Sequence, residues 1–364
     1  MAIFEQLQKM GHEQVAFCHD PETGLKAIIA VHDTTLGPAL GGCRMWDYQS
    51  EEEALVDVLR LSRGMTYKAA VTGLNLGGGK SVIIGNPNKL KSEAFFRTFG
   101  RFVHSLNGRY ITAEDVNIRV EDIEHVAAET PYVTGVNSAG GSGDPSPVTA
   151  WGVYHGIRAA VSHKLGRDSL KGVRVAVQGC GAVGYNLIRY LSKDGAKVFA
   201  SDIDDKKVER AVAELGAEAI SNDGAHKIDA DVYAPCALGG ILNERTIPEL
   251  KSAIVAGAAN NQLLDETDHS AMLKERDILY APDYVINAGG LINVYQELRG
   301  YNKDEALKKA SGIYHTLINV FEVADQEGIT SILASNRIAE KRLDEVRRTR
   351  SLSNTYNNQR WIAR

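Results

Sequence analysis

The chain is poor in the features that mark several large classes of protein. Only four cysteines occur among 364 residues (Cys18, Cys43, Cys180 and Cys236), and no two form a CxxC pair. That spacing suggests neither a disulfide framework nor a zinc site, and no metal is expected. No apolar run approaches the length of a membrane span, so no membrane partner is expected. The first residues show no basic stretch followed by an apolar core, so no secretory leader is expected. Basic residues do not dominate. The 41 Lys and Arg stand against 46 Asp and Glu, a formal charge of -5, which leaves no basic footprint for nucleic acid. A reducing cytoplasm fits these absences.

What is present is an ordinary globular composition, 44% hydrophobic and 24% charged. The length suggests two domains. Residues 1–145 mix short strands and amphipathic helices. Gly24 to His32 reads as a strand and Glu51 to Leu61 as a helix. Between them and the next helix lie two lysines, Lys68 in Gly64-Met-Thr-Tyr-Lys and Lys80 in Leu76-Gly-Gly-Gly-Lys. The glycine run lets a small molecule approach the main chain closely, and the plainer alternative is a glycine-rich turn followed by a surface lysine. Two lysines facing one pocket repel, and partial burial also disfavours charge, so a lysine here is suited to moving protons near neutral pH. Tyr110-Ile-Thr-Ala reads as a strand that delivers Glu114 and Asp115 at its end. Neighbours on a strand point to opposite faces, so only one of the two carboxylates should face a cleft.

Gly140-Gly-Ser-Gly-Asp-Pro-Ser-Pro is a break, with Ser146 as N-cap and Pro147 opening a helix. Strands and helices then alternate, which predicts a doubly wound parallel sheet over 146–330. Gln178-Gly-Cys-Gly-Ala-Val-Gly184 follows an apolar strand and opens a helix, and Asp202 ends the next strand. Gly179 permits the tight turn, and Gly181 lets the backbone approach a pyrophosphate. Ala182 and Val183 begin the helix whose N-terminus carries the anion's charge. Gly184 allows close helix–strand packing. The carboxylate of Asp202 suits ribose hydroxyls and repels a 2'-phosphate, so NAD is expected over NADP, with Lys206 and Lys207 as counter-evidence. Two helices, 303–327 and 331–349, are predicted to close the chain, and 331–364 is expected to pack back on the first domain.

These pieces resemble the amino-acid dehydrogenases that act on glutamate, leucine, phenylalanine and valine. The resemblance rests on Thr35-Leu-Gly-Pro-Ala-Leu-Gly-Gly, Gly64-Met-Thr-Tyr-Lys, Leu76-Gly-Gly-Gly-Lys, Thr112-Ala-Glu-Asp, Ala256-Gly-Ala-Ala-Asn-Asn-Gln-Leu and Ala281-Pro-Asp-Tyr-Val-Ile-Asn-Ala-Gly-Gly. It implies an α/β protein of two domains, an N-terminal substrate and catalytic domain and a Rossmann NAD-binding domain, with C-terminal helices. By that resemblance Lys68 holds the substrate carboxylate, Lys80 is the catalytic lysine and Asp115 the catalytic acid, with Glu114 the alternative. Asn287 receives the amino group. Leu40, Gly41, Ala113, Leu291 and Val294 belong to the substrate set. Asn261, with Asn260 as alternative, lies near the nicotinamide ribose, and Thr149, Cys236, Ala237 and Leu238 line the cofactor cleft. A homo-oligomer, octamer or dimer, is implied.

The chemistry agrees with those residue types. Oxidative deamination needs a cation to anchor the carboxylate, a base to take a proton from water, and an acid to protonate the departing ammonia. A dehydrogenase acting on a 2-hydroxy acid would instead want a His/acid pair and an Arg, and a non-catalytic dinucleotide-binding regulator would need neither Lys80 nor Asp115. The overall likeness is to the leucine branch, and Ala113 agrees with it. Asn117, Leu291, Tyr295 and Ala69 depart towards the phenylalanine and tryptophan branches. Glutamate-acting members present a lysine and a serine at the positions matching Leu40 and Val294. The expected substrate is therefore an apolar L-amino acid, leucine or another branched chain first, phenylalanine or tryptophan as the alternative.

Overall fold

The computed structural model describes residues 3–137 and 141–350. Gly140 of the expected break and residues 351–364 of the expected C-terminal segment lie outside the described residues. The chain forms two compact units. The first holds the described residues up to Gly143, Val294–Tyr301 and those from Ala339, and the second holds Asp144–Asn293 and Asn302–Ile338. This grouping puts 294–301 with the first unit, where the sequence boundaries place it in the dinucleotide domain. It also carries the second unit through Ile338 instead of 330.

The first unit is built on a mixed sheet. Its strands are β1 (Gln14–Asp20), β2 (Leu25–Asp33), β3 (Ala39–Leu40), β4 (Cys43–Trp46), β5 (Gly77–Ile84) and β6 (Tyr110–Ile111). The order is β1-β2-β5-β3-β6, and β4 also pairs with β5. β1 and β2 run antiparallel, as do β2 and β5, whereas β3 and β4 lie parallel to β5. The central strand β5 is buried over Gly77–Ile83. Helix Glu51–Val71 covers one face of this sheet, where Leu55, Val58 and Leu59 pack with Ile28, Ala30 and Val82.

Two sequence readings fail here for one reason. The helix does not stop at Leu61 but runs on to Val71, and the glycine run is not a turn but the start of β5. A Cβ on Gly78 would lie 2.1 Å from Thr66 Oγ1, and one on Gly79 would lie 2.6 Å from the Tyr110 ring. The glycines are there because strand and neighbours press together at van der Waals range, not because the chain turns. The helix continues through Gly64 and Thr66 because that packing outweighs their modest helix propensity.

The chain returns to this unit twice. Glu297 accepts bonds from the backbone N–H groups of Gly135 at 2.9 Å and Ser142 at 2.8 Å. Arg342 donates to the carbonyls of Ala70 and Leu74 at 2.9 Å, to that of Ala69 at 3.3 Å, and to Asn75 Oδ1 at 2.9 Å. It therefore adds a second donor to the Ala69 and Ala70 carbonyls, which already accept from Leu74 N and Gly73 N, and clamps the end of helix Glu51–Val71. Arg347, one turn further on, pairs with the buried carboxylate of Asp33.

The second unit is a parallel sheet of β7 (Arg174–Gln178), β8 (Lys197–Ser201), β9 (Glu218–Ala219), β10 (Val232–Pro235), β11 (Ile254–Val255) and β12 (Leu279–Tyr280). Its order is β12-β11-β10-β7-β8-β9, and every pairing is parallel. Counted within the unit this is the 3-2-1-4-5-6 order of dinucleotide-binding sheets, whose direction reverses between β7 and β10. Helix Ser146–Leu165 opens the unit with Pro145 as its N-cap. Ser146 lies inside the first turn, and its N–H is taken by Asp144 Oδ1 at 2.9 Å, so Asp144 does what was expected of Ser146. The helix expected over 303–327 is two, Lys303–Ser311 and Ile313–Glu327, meeting at Gly312.

Candidate active site

Lys80 is reached through the alternation of β5. Gly78, Lys80 and Val82 share a face, and Gly78 and Val82 both meet helix Glu51–Val71. Lys80 thus lies on the sheet face covered by the helix that carries Lys68 in its last turn. Lys68 is half-buried, and Lys80 is 6% exposed. Asp115 follows β6, where Glu114 bridges to Cys43. Lys80 Nζ sits 2.6 Å from Asp115 Oδ2. Of the two candidate carboxylates, Asp115 is the one paired with Lys80.

The loop that brings these groups together depends on two more glycines. A Cβ on Gly41 would lie 1.7 Å from the Gly79 carbonyl oxygen, and one on Gly42 would lie 2.8 Å from the Asp115 Cβ. Gly41 therefore lets the segment between β3 and β4 cross β5, and Gly42 lets Asp115 approach. Leu40 and Ala113 are buried beside it, at 2% and 7% exposure.

Sequence reasoning missed a third ionic group. Arg44 on β4 places Nε 3.3 Å from the same Oδ2 of Asp115 and Nη1 3.0 Å from Asp57 Oδ2. Tyr48 donates to that same oxygen of Asp57 at 2.7 Å. The signal was available in the alternation of Cys43-Arg44-Met45, an arginine between two core residues. Burial pushes the Asp115 carboxyl up, but the charges of Lys80 and Arg44 more than offset this and hold it below the ordinary range. Burial also pushes the neighbouring Cys43 thiol up to about 12, which leaves it uncharged.

The second unit presents its loop at the sheet's reversal point. Gly179 has φ +104°, and a Cβ there would meet Ala237 N and Cys236 C at 2.9 Å. The loops after β7 and β10 therefore touch, which puts Cys236 and Ala237 beside the glycine loop. A Cβ on Gly184 would lie 1.9 Å from the Gly179 carbonyl oxygen, so helix Ala182–Lys193 sits close on the loop. Gly181 caps that helix, and beside it lies open space, with nothing within 4 Å of a notional Cβ. The N–H groups of Ala182 and Val183 have no acceptor within their own helix. Asp202 accepts from Cys180 N at 2.7 Å and from Asp204 N at 2.9 Å, which fixes its carboxylate across the loop. Open backbone at a helix N-terminus and an oriented carboxylate fit a dinucleotide.

The remaining candidates of this unit lie further along it. Thr149 Oγ1 is bonded to the Pro145 carbonyl at 3.0 Å. Asn287 is 6% exposed, and its Nδ2 donates to the Ala258 carbonyl at 3.0 Å and to Asn260 Oδ1 at 2.6 Å. Its Oδ1 is buried without a hydrogen-bond partner. Asn261 is exposed with φ +51°, and Asn260 is the one tied to Asn287. Leu291 is 7% exposed in this unit, while Val294 belongs to the first.

A dinucleotide-type sheet together with an α/β unit that carries a buried lysine–aspartate pair is the equipment of an oxidoreductase. The model of the Glu/Leu/Phe/Val dehydrogenase dimerisation domain matches residues 12–132, and that of the Glutamate/Leucine/Phenylalanine/Valine dehydrogenase domain matches 140–207 and 201–350. A leucine dehydrogenase of Thermoactinomyces intermedius is 57% identical over 96% of both chains. A phenylalanine dehydrogenase of Caldalkalibacillus thermarum is 47% identical over 99% of this chain and 98% of its own. The crystal structure of L-tryptophan dehydrogenase from Nostoc punctiforme superposes with a TM-score of 0.85 at 50% identity, covering 95% of this chain and 99% of that one. The chain belongs to the Glu/Leu/Phe/Val dehydrogenase family. It is an amino-acid dehydrogenase and works with a nicotinamide cofactor.

Proposed function

We propose that this protein catalyses the reversible NAD-dependent oxidative deamination of leucine and other branched-chain L-amino acids. The reaction takes the amino acid, NAD+ and water to the 2-oxo acid, ammonium, NADH and a proton. The observation that carries the reading is the buried Lys80–Asp115 pair at 2.6 Å. Lys68 holds the substrate carboxylate, and the unpartnered Oδ1 of Asn287 accepts from the amino group. When bound, the nicotinamide accepts the hydride from Cα. Lys80 Nζ then takes a proton from water as that water's oxygen bonds to the iminium carbon and the C=N π pair returns to nitrogen. Ionised Asp115 then takes that proton from Lys80 and passes it to the carbinolamine nitrogen. The C–N bond breaks with release of ammonia as the hydroxyl oxygen forms C=O and gives its proton back to Lys80. Burial of the pair excludes competing water and strengthens the electrostatics on which these transfers depend.

The glycine loop of Gly179, Gly181, Ala182, Val183 and Gly184 would hold the pyrophosphate, with Thr149, Cys236, Ala237 and Asn261 along the cofactor. NAD is favoured over NADP because the Asp202 carboxylate keeps lone pairs for ribose hydroxyls and repels a 2'-phosphate. Lys207 leans to Asp204, at 3.9 Å, which weakens the counter-argument from the lysines. Leu40, Gly41, Ala113, Leu291 and Val294 select an apolar side chain. The likeness to the tryptophan enzyme's structure supports a second reading, an aromatic substrate. A homo-oligomer, octamer or dimer, is supported by the dimerisation-domain match. A cytoplasmic location is supported by the four free cysteines.

Initial rates with NAD+ over leucine, valine, isoleucine, phenylalanine, tryptophan and glutamate test the substrate. Lys80→Ala should lower kcat by several orders of magnitude with dinucleotide affinity unchanged, and Lys68→Ala should chiefly raise KM. Near-normal turnover by the Lys80 variant would sink the reading.

A further inference from the structure

We propose that Arg44 is a positioning residue for this reaction, the standing counter-charge of Asp115 that leaves Lys80 able to act as the base. The inference rests on the roles proposed above for Lys80 and Asp115. Both cations address a single oxygen, Oδ2 of Asp115, Lys80 Nζ at 2.6 Å and Arg44 Nε at 3.3 Å. Lys80 is buried, at 8% side-chain exposure, and Arg44 and Asp115 are half-buried, at 22% and 23%.

To act as a base, Lys80 must first give its proton to solvent. The ion pair with Asp115 then disappears. A buried carboxylate left without a counter-charge tends to take up a proton, which would leave Asp115 in the wrong state for its own transfer. The guanidinium of Arg44 does not deprotonate in proteins, so Asp115 keeps a cationic partner throughout. Arg44 is in turn held by Asp57 at 3.0 Å, whose Oδ2 also accepts from Tyr48 at 2.7 Å. With Arg44 in place the four charges of Lys80, Asp115, Arg44 and Asp57 balance, and loss of the Lys80 proton leaves one net negative charge. Without Arg44 the same loss begins at one negative charge and ends at two, so Lys80 would hold its proton more tightly.

Arg60 reaches the other oxygen of Asp57 at 3.5 Å, but it is 64% exposed and its charge is screened by water. The remaining titratable groups around the cluster do not supply this charge. Cys43, Tyr48 and Tyr110 are each pushed up by burial and stay neutral. Asp122, further away, is paired with Lys91.

The test is the pH profile of kcat/KM for deamination of the best amino-acid substrate. Arg44→Met and Arg44→Gln both remove the charge, and the second keeps a hydrogen-bond donor. In either variant the acid limb should move to higher pH by about one unit, the low end of the effect of an adjacent opposite charge. Arg44→Lys should return the limb most of the way to its parent position. An unshifted limb in a folded neutral variant, whatever its rate, overturns the inference, as does a lysine variant that shifts as far as methionine. Lys80→Ala measured alongside keeps the two readings apart. If that variant turns over normally the proposed function fails, whereas an unshifted Arg44 profile with an inactive Lys80→Ala removes only the role of Arg44.

Discussion

Replacing Gly78 with alanine should separate the strand of Lys80 from the helix of Lys68. The added methyl would stand 2.1 Å from Thr66 Oγ1, 2.2 Å from Thr66 N and 2.5 Å from the Ser62 carbonyl oxygen. Ordinary carbon contacts lie near 3.5–4.0 Å, so strand and helix must part by about 1 Å or more. Two of the three atoms are backbone, so no rotamer change relieves them. The third is engaged, since Thr66 Oγ1 is bonded to His32 Nδ1 at 2.8 Å. Overpacking costs about 1–3 kcal/mol, and the need to move backbone puts this site near 3. A shift of about 1 Å at Lys80 costs on the order of 100-fold in turnover. Gly64→Ala is the control on the same helix, because a Cβ there meets nothing within 4 Å. It should stabilise by about 0.5–1 kcal/mol, the helix-propensity difference between the two residues. Urea unfolding gives the stabilities, initial rates give turnover, and quenching of protein fluorescence by NADH gives dinucleotide affinity, which should not change. The reasoning is refuted if Gly78→Ala unfolds within about 0.5 kcal/mol of the parent with normal turnover, the range of a neutral surface change, or if Gly64→Ala is the more damaging.

Three further outcomes are expected. Asp202→Ala should narrow the preference for NAD over NADP, measured as the ratio of kcat/KM values; an unchanged ratio would place discrimination elsewhere. Ala113→Gly should shift kcat/KM towards phenylalanine or tryptophan by about 10–200-fold or less, the worth of roughly one methylene in an apolar pocket, and glutamate should stay a very poor substrate because its second carboxylate would be buried unpaired. Asp33 is buried, which raises its carboxyl, yet bonds from Thr35 and Arg347 outweigh that and hold it below the usual value. A depressed folded-state value means the stabilisation is fully present above the unfolded value of about 3.9 and is lost as pH falls through the folded one. Asp33→Asn should therefore be less stable at neutral pH and lose less on acidification, as read by urea midpoints at pH 7 and about pH 3.

Much of the second unit was legible in the sequence, because a parallel sheet with crossover helices repeats a strong pattern and the GxGxxG loop sits where its chemistry requires. The apolar runs 173–177 and 197–201 read as strands and 181–193 as a helix, and β7, β8 and helix Ala182–Lys193 fall within a residue or two of those bounds. Two-residue strands such as β11 and β12 carry too little periodicity to bound. The first unit was harder. Its decisive feature is the tight approach of β5 to helix Glu51–Val71, and glycine in a packed strand reads the same as glycine in a turn. Lys80 stood out through the glycine run and the second lysine, and Asp115 as one of two carboxylates at a strand end, but their roles came through resemblance. Arg44 was marked only by its place between two core residues. Its partners lie 13 and 71 residues away, a separation that no local pattern encodes.

Arg342 ties the last described helix to the carbonyls that end helix Glu51–Val71. Seen along the direction of synthesis, this makes the unit that leaves the ribosome first the one that is finished last. Its central strands and the lysine-bearing helix have emerged by residue 84, yet their closing bonds wait for residues beyond 339. A nascent or prematurely ended chain would carry a complete dinucleotide sheet and a Lys68-bearing helix whose end lacks the Arg342 clamp. A chain ended just before Arg342 keeps the whole second unit, so it should bind dinucleotide with unchanged affinity and lose turnover.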